Sequence, residues 1–337
     1  MERGSRARER RRPVRLLGTC ALAAVALSGC GGVQSTLSPN GPQADTVATS
    51  WWILFGVATV MCVFVIVLTV AAVIVRRKAR NVRQDEGRGF VMAFGVVMPA
   101  VILALTFALS LVTIQKNSEP GSTPETTVQV IGHQWWWEVR YAGTSAVTAN
   151  EIHVPVGTPV HLRLQAADVI HSFWVPELMP KMDLIPGRVN DTWLTVDKAG
   201  RYRGQCAEYC GLQHGHMAFT VVADPPQQFQ GWLANMAADA PEPTGTQAAH
   251  GETVFTQGTC ATCHTIRGTS ADGNRGPDLT HLATREELAA GAIPNDKGHL
   301  GGWIANSQAV KPGNYMPPQH LSPADLHDVV AYLQSLE

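Results

Sequence analysis

Cys206-Ala207-Glu208-Tyr209-Cys210-Gly211-Leu212-Gln213-His214-Gly215-His216-Met217 places two thiols, imidazoles and a thioether in one short stretch. His171 lies upstream, in Asp168-Val169-Ile170-His171-Ser172-Phe173-Trp174. Soft sulfur combined with imidazole favours copper, and a single blue-copper ion takes one Cys, two His and a weak Met. Here the second Cys adds a bridging thiolate, so two copper ions can share two sulfurs. Each ion then takes one His, and Met217 and the Glu208 carbonyl complete the set. Such a pair spreads one electron over two metals and keeps reorganisation small. A tetrahedral Cys2His2 zinc site and a Cys206–Cys210 disulfide are the other readings, and the C-x3-C-x3-H-x2-M spacing favours neither. His216 falls between the ligands and reads as a loop residue.

The surrounding residues, 126–224, alternate in short runs: Val160, Leu162 and Leu164; Leu194 and Val196; Phe219 and Val221. Gly157-Thr158-Pro159 and Lys198-Ala199-Gly200 are turn signals between them. Period-two runs at this spacing predict a β-sandwich or barrel of Greek-key type. His133, His153 and His161 have no sulfur partner and read as surface or core residues. Residues 117–125, rich in Pro, Ser and Glu, form a connector.

Upstream, Trp51–Val75 and Phe90–Ile114 are uncharged apolar runs long enough to span a bilayer. The segment between them (76–89) carries Arg76, Arg77, Lys78, Arg80, Arg83 and Arg88. The positive-inside rule makes it cytoplasmic and puts both ends of the mature chain outside. Seven Arg precede a short apolar stretch, Leu16 to Leu27, which ends in Leu27-Ser28-Gly29-Cys30. That is a secretory signal, residues 1–29. Its end resembles a bacterial lipobox, which implies a lipid on Cys30 as the first mature residue. Residues 30–50 read as an extracytoplasmic N-terminal segment.

Downstream, Ala240-Pro241-Glu242-Pro243 opens a flexible linker, 240–250. Cys260-Ala261-Thr262-Cys263-His264 follows. C-x-x-C-H is the attachment signature of c-type haem, with both thiols as thioethers and His264 on the iron. Met316, in Tyr315-Met316-Pro317-Pro318, is the only Met after the motif and the natural sixth ligand. His281, His299, His320 and His327 are rivals for that place. Pro323 to Ser335 predicts a closing amphipathic helix, with Leu326, Val329, Val330 and Leu333 on one face.

Composition agrees with this layout. The 337 residues are 45% hydrophobic and 16% charged, with a formal net charge of −1. The charged share is well below the roughly 25% of soluble domains, which points to a membrane protein. Outside residues 1–29 the balance is acidic, which argues against a nucleic-acid partner. Of seven cysteines, Cys20 falls in the signal, Cys30 at the lipobox and Cys62 in a span. The other four belong to metal chemistry.

Signal, two spans and a copper loop in a β-sandwich resemble subunit II of haem-copper cytochrome c oxidase over residues 51–224. Residues 245–337 resemble class I cytochrome c. The resemblance implies a multi-domain membrane protein: a two-helix transmembrane hairpin, a cupredoxin-like domain (126–224) and an all-α cytochrome c domain (251–337). It implies a binuclear copper centre held by His171, Cys206, Glu208, Cys210, His214 and Met217, and one covalent haem c on Cys260, Cys263, His264 and Met316. Electrons would pass from a cytochrome c or a bc complex through the haem and the copper pair to haem a of subunit I. There oxygen is reduced to water and protons are translocated, in a bacterial plasma membrane. Gly132-His133-Gln134-Trp135-Trp136-Trp137 resembles the family's aromatic segment, in which Trp135 takes the place where electrons arrive; Trp136 and Trp137 read as packing under the sheet. The Glu208 side chain would reach a Mg2+ or Mn2+ at the contact with subunit I, and subunit III is a further partner. One departure is Met92, where many relatives carry a Glu at the mouth of a proton path; Asp85 and Glu86 are substitutes at hand. Two alternatives remain: a copper-bearing subunit of a nitric-oxide reductase, and a quinol-oxidase subunit II, which lacks the copper ligands.

Overall fold

The computed structural model describes residues 32–76 and 87–337. The signal, Cys30 and most of the basic segment lie outside the described residues.

The first apolar run lies in helix α1, Pro42–Arg76. The second comprises α2 (Arg88–Met92), a π-helical turn (Ala93–Val97) and α3 (Met98–Ser118). Pro99 stands in the first turn of α3, where a missing N–H breaks little and the span continues. At 1.5 Å per residue α1 is about 50 Å long, well over the roughly 30 Å of a hydrocarbon core. Its surplus lies at the N-terminal end, so residues 42–50, read as part of the N-terminal segment ahead of the span, belong to the same helix. That end is fastened to the β-domain. Ala44 N–H donates to Leu178 O (3.3 Å) and Asn40 N–H to Glu177 O (2.8 Å). Gly41 fits against Thr195 O, 2.5 Å from where a Cβ would lie. Trp193 Nε1 donates to Asn117 O in the last turn of α3 (3.0 Å). The β-domain thus sits at the N-terminal end of α1 and the C-terminal end of α3.

Among the described residues, ten strands build the expected sandwich: β1 Thr126–His133, β2 Trp136–Tyr141, β3 Val147–Ala149, β4 Glu151–Pro155, β5 Val160–Ala166, β6 His171–Trp174, β7 Met182–Leu184, β8 Asn190–Leu194, β9 Gly200–Cys206 and β10 Ala218–Asp224. One sheet has the order β3-β2-β1-β5-β8, the other β4-β10-β9-β6-β7. The β1–β5 and β4–β10 pairs are parallel and the rest antiparallel. The register Val128↔Leu162 and Val130↔Leu164 puts alternate residues of neighbouring strands on the inner face. Trp137, Phe173 and Phe219 fill the middle, with Phe173 and Phe219 stacked at 4.5 Å between ring centroids. Trp137 is fully buried, as expected. Trp136 is not under the sheet: it is half-buried and stacks on His133 at 4.3 Å, because it heads β2 on the opposite face from Trp137.

Helix α4, Pro226–Ala237, follows β10 and buries Phe229 and Met236, while its Trp232 stacks on His153 at 4.0 Å. The predicted linker is shorter than 240–250, because helix α5 already begins at Thr246 and runs to Gln257. The C-terminal domain is mainly helical, with a small β11–β12 hairpin (Glu287–Leu288, Ile293–Pro294), α6 (Lys297–Ala305) and α7 (Ser307–Val310). It closes on α8, Pro323–Leu333, whose Ser322 cap accepts from Asp325 N–H. Val329, Val330 and Leu333 are buried as the periodicity predicts, and Phe255 of α5 meets Tyr332 edge-on at 6.1 Å.

Candidate metal and haem centres

The sulfur-rich loop connects β9 to β10. Cys206 is the last residue of β9, His171 the first of β6, and the strands pair at Phe173↔Cys206. Cys206 N–H donates to Met217 O (2.9 Å) and Ala207 N–H to Ser172 O (2.9 Å), so the loop is closed at its base and tied to β6. Gly132 on β1 makes room for the imidazole: a Cβ there would come within 2.7 Å of His171 Cδ2.

The two sulfurs of Cys206 and Cys210 are 3.7 Å apart. A disulfide needs about 2.05 Å. Two sulfurs each about 2.3 Å from a shared ion can be up to about 4.6 Å apart, so the pair fits a bridged metal. His171 Nδ1 lies 3.8 Å from Cys206 Sγ, and His214 Nδ1 lies 3.6 Å from Cys210 Sγ. Met217 Sδ is 3.7 Å from Cys210 Sγ, and Glu208 O is 3.2 Å from Cys206 Sγ. All six expected residues therefore converge, with an imidazole on either side of the sulfur pair. His216 turns away and meets Gln213 Oε1 at 2.8 Å. His133, His153 and His161 pair with Glu138, Asp224 and Asp191.

The electrostatics ask for a cation. The hydrogen bond with Cys210, assisted by His171, pulls the Cys206 thiol down to about 3. The same contact holds the Cys210 thiol up, because a second thiolate so close would repel the first. A metal removes that conflict by deprotonating both. His171 loses basicity through burial, but its contacts with Asp168 and Cys206 outweigh this and raise it above the ordinary value. Asp168 Oδ1 lies 2.9 Å from His171 Nε2 and leaves Nδ1 facing the sulfur. Sequence reading missed Asp168. Its signal was a carboxylate three residues before a ligand, the usual partner of a metal-binding imidazole.

In the C-terminal domain, Cys260 and His264 sit on one turn, with His264 N–H donating to Cys260 O (3.0 Å). His264 Nδ1 donates to Pro277 O (2.8 Å), which frees Nε2 as a ligand. Burial lowers the pKa of His264 and keeps it neutral, as iron requires. Gly276 packs flat on the ring; a Cβ there would lie 2.5 Å from Cε1. Arg285 is buried beside this site, and its Nε has no partner among the described residues. An unspent guanidinium donor suits a group bearing carboxylates, as haem does. Met316 is on the loop before α8, its backbone pinned by Asn314 Oδ1 (2.8 Å), Ser307 Oγ (2.5 Å) and Gln308 Nε2 (3.0 Å). Three of its rivals are engaged elsewhere: His281 with Glu337 O and Ala238 O, His299 with Asp296, and His327 with Gln247.

The periplasmic domain of cytochrome c oxidase subunit II matches residues 144–224, and cytochrome c matches residues 248–337. The chain is 32% identical over 325 residues to cytochrome c oxidase subunit 2 of Alkalihalophilus pseudofirmus, covering 92% of this chain and 94% of that one. It belongs to the cytochrome c oxidase subunit II family. The corresponding protein of Bacillus subtilis is 30% identical over 348 residues, covering 96% of this chain and 98% of that one. A crystal structure of the periplasmic domain of subunit II from Bradyrhizobium japonicum is 30% identical, with a TM-score of 0.33, and covers 34% of this chain and 95% of that one. The chain is thus a subunit of a haem-copper oxidase, anchored in the membrane, with an extracytoplasmic domain and a fused cytochrome c domain. The first domain implies copper and the second haem, and the residues described above fit both.

Proposed function

We propose that this chain carries electrons from an outside donor, through its C-terminal domain and then its 206–217 loop, to haem a of subunit I, where oxygen is reduced and protons are translocated. The observation that carries this reading is the Cys206–Cys210 pair at 3.7 Å with an imidazole on each side. In this reading His171, Cys206, the Glu208 carbonyl, Cys210, His214 and Met217 hold two copper ions. Cys260, Cys263, His264 and Met316 hold one haem c. When bound, the two centres supply one-electron transfer at potentials tuned by their ligands.

The chain's own residues supply placement and insulation. Burial of Cys206, Cys210 and Met217 keeps water from the sulfurs. Trp135 Nε1 and Gln134 Nε2 both donate to Cys210 O, at 3.0 and 2.7 Å. These bonds fix the backbone of one bridging residue and set Trp135 against the loop. The Glu208 side chain, half-exposed and 3.5 Å from Lys181 Nζ, is free to reach a Mg2+ or Mn2+ at the contact with subunit I. Subunit III and a donor cytochrome c or bc complex complete the partners. The two-pass topology, with both mature termini outside, and the lipid on Cys30 belong to the same proposal. Met92 sits on α2, so protons would be taken up by other groups than a Glu at that place. The six convergent residues speak against a quinol-oxidase subunit II, and turnover separates an oxidase from a nitric-oxide reductase.

The test is copper and iron content, electron paramagnetic resonance and oxygen consumption with reduced cytochrome c on the purified complex. Two coppers, one haem and turnover are expected; zinc in the loop, or no copper, would overturn the reading. The methionine-to-iron band in the near infrared should be present. In Met316→His the haem should stay attached through Cys260 and Cys263, but its potential should fall, since Met/His ligation raises it. An unchanged potential would assign the sixth place to another residue.

Asp168→Asn is expected to weaken copper retention by roughly 10- to 100-fold, the range for loss of an outer-shell partner of a metal-binding histidine. Competition with a copper chelator measures it, and retention equal to the parent would remove Asp168 from the site.

A further inference from the structure

The turn 311–315 of the C-terminal domain lies against the β-domain. Lys311 is 3% exposed. Its Nζ donates to Trp135 O across the joint (2.8 Å) and to Ala289 O in its own domain (3.1 Å). Among the described residues no carboxylate pairs with it. Beside it, Gln213 Nε2 donates to Pro312 O (2.7 Å), and Tyr315 Oη donates to Gln134 Oε1 (2.8 Å). The Tyr315 ring stacks on Trp135 at 5.5 Å and 23°. Gly313, at φ +82°, lies so near Leu212 that a Cβ would come within 2.9 Å of its Cδ1. Further along the joint, Ala218 N–H donates to Ala290 O (3.0 Å), and Arg201 pairs with Glu286 (3.1 Å).

We propose that Lys311 and Tyr315 lock the C-terminal domain onto the loop of Cys210, so that Trp135 is a closed internal contact and an outside donor protein has to dock on the C-terminal domain. A domain swinging on its linker would not bury a lysine head group against a neighbour's backbone carbonyl, because an exposed ammonium keeps its water at no cost. Burial pushes Lys311 down to about 7. The fit around it must therefore outweigh the loss of water, which is the mark of a committed contact. Trp135 is 6% exposed although it lies at the outer end of the sandwich, and the covering groups are Gly211 of its own domain and Lys311 and Tyr315 of the other. Tyr315 directly precedes Met316, so the same turn that closes Trp135 also holds the expected haem ligand. The residues that dock the domain and the expected haem ligand are thereby fixed as one unit.

The proposal rests on reading 206–217 as the copper loop, but its test does not depend on metal. Hydroxyl-radical footprinting of the full-length protein in its complex, read by mass spectrometry, reports Trp135 and Trp137 separately. In the parent, Trp135 is expected to oxidise as slowly as the fully buried Trp137. In Lys311→Ala with Tyr315→Ala, oxidation of Trp135 should rise at least fivefold while Trp137 stays unchanged, which separates undocking from unfolding. Fast oxidation of Trp135 in the parent, or no rise in the variant, would overturn the lock. If Trp137 rises too, the single variants Lys311→Ala and Tyr315→Ala decide: Trp135 oxidising at the parent's rate in both, with Trp137 unchanged, would refute the proposal. Added soluble, lysine-rich cytochrome c should protect side chains of the C-terminal domain only; protection at Gln134 or Trp136 would place the donor on the β-domain and overturn it as well. Copper content measured on the same samples tests the loop reading by itself.

Discussion

Cys206→Ser should abolish the paired copper centre: copper falls from two per chain to one or none, and the mixed-valence paramagnetic signal disappears. The reason is the position of this sulfur. It lies 3.7 Å from Cys210 Sγ, 3.8 Å from His171 Nδ1 and 3.2 Å from Glu208 O, so it touches three of the other five candidate ligands. A serine hydroxyl is hard and stays protonated near neutrality, whereas the Cys206 thiol is drawn down to about 3 by its neighbours. The substitution therefore removes a bridge as well as a ligand. Met217→Leu is the contrast. Met217 offers only its Sδ, 3.7 Å from Cys210 Sγ, and a weak thioether tunes a copper site more than it builds one. Both coppers should survive there with a shifted potential. A full pair surviving in Cys206→Ser would contradict the bridging role.

How much of this was readable beforehand follows from sequence distance. Five of the six copper residues sit in one loop, and C-x-x-C-H is contiguous, so spacing alone exposes both chemistries. His171 is far from the loop in sequence and close in space only because β6 pairs with β9. Asp168 is only three residues from His171, and that spacing was its one signal; its role is settled only when β6 aims His171 at the sulfurs. The alternation of Val160, Leu162 and Leu164 predicts a strand but not its neighbours. The parallel pairs β1–β5 and β4–β10 join distant segments, and nothing local specifies them. Helix α4 falls between the predicted strands, which end at residue 224, and the linker from 240; Pro226 opens the helix, where its fixed φ is an advantage. Lys311, in Val310-Lys311-Pro312-Gly313, looks like a solvated turn. Only the second domain laid over Trp135 turns it into a buried contact.

The largest effect on folding is expected at a residue with no chemistry at all. Gly251 lies where α5 crosses α8. A Cβ there would come within 2.0 Å of Asp328 O and 2.9 Å of Tyr332 Cβ, and the first of these is backbone, which has nowhere to turn. Gly251→Ala must push the two helices apart, and that disturbs the layer of Phe255, Val329, Tyr332 and Leu333 between them. Overpacking of this kind costs about 1–3 kcal/mol. For a domain of about 90 residues each kcal/mol moves the thermal midpoint by roughly 4–8 °C, so a fall of about 12–24 °C is expected at the upper end of that cost. Gly231→Ala is the matched control. Gly231 is also inside a helix, α4, but nothing lies within 4 Å of its missing Cβ. There the change should stabilise by about 0.5–1 kcal/mol, because alanine loses less backbone freedom on folding. Calorimetry of the two variants, following the haem-domain transition for Gly251→Ala, reads the opposite signs directly. A Gly251→Ala midpoint equal to the parent would mean that α5 and α8 do not meet as closely as Gly251 allows.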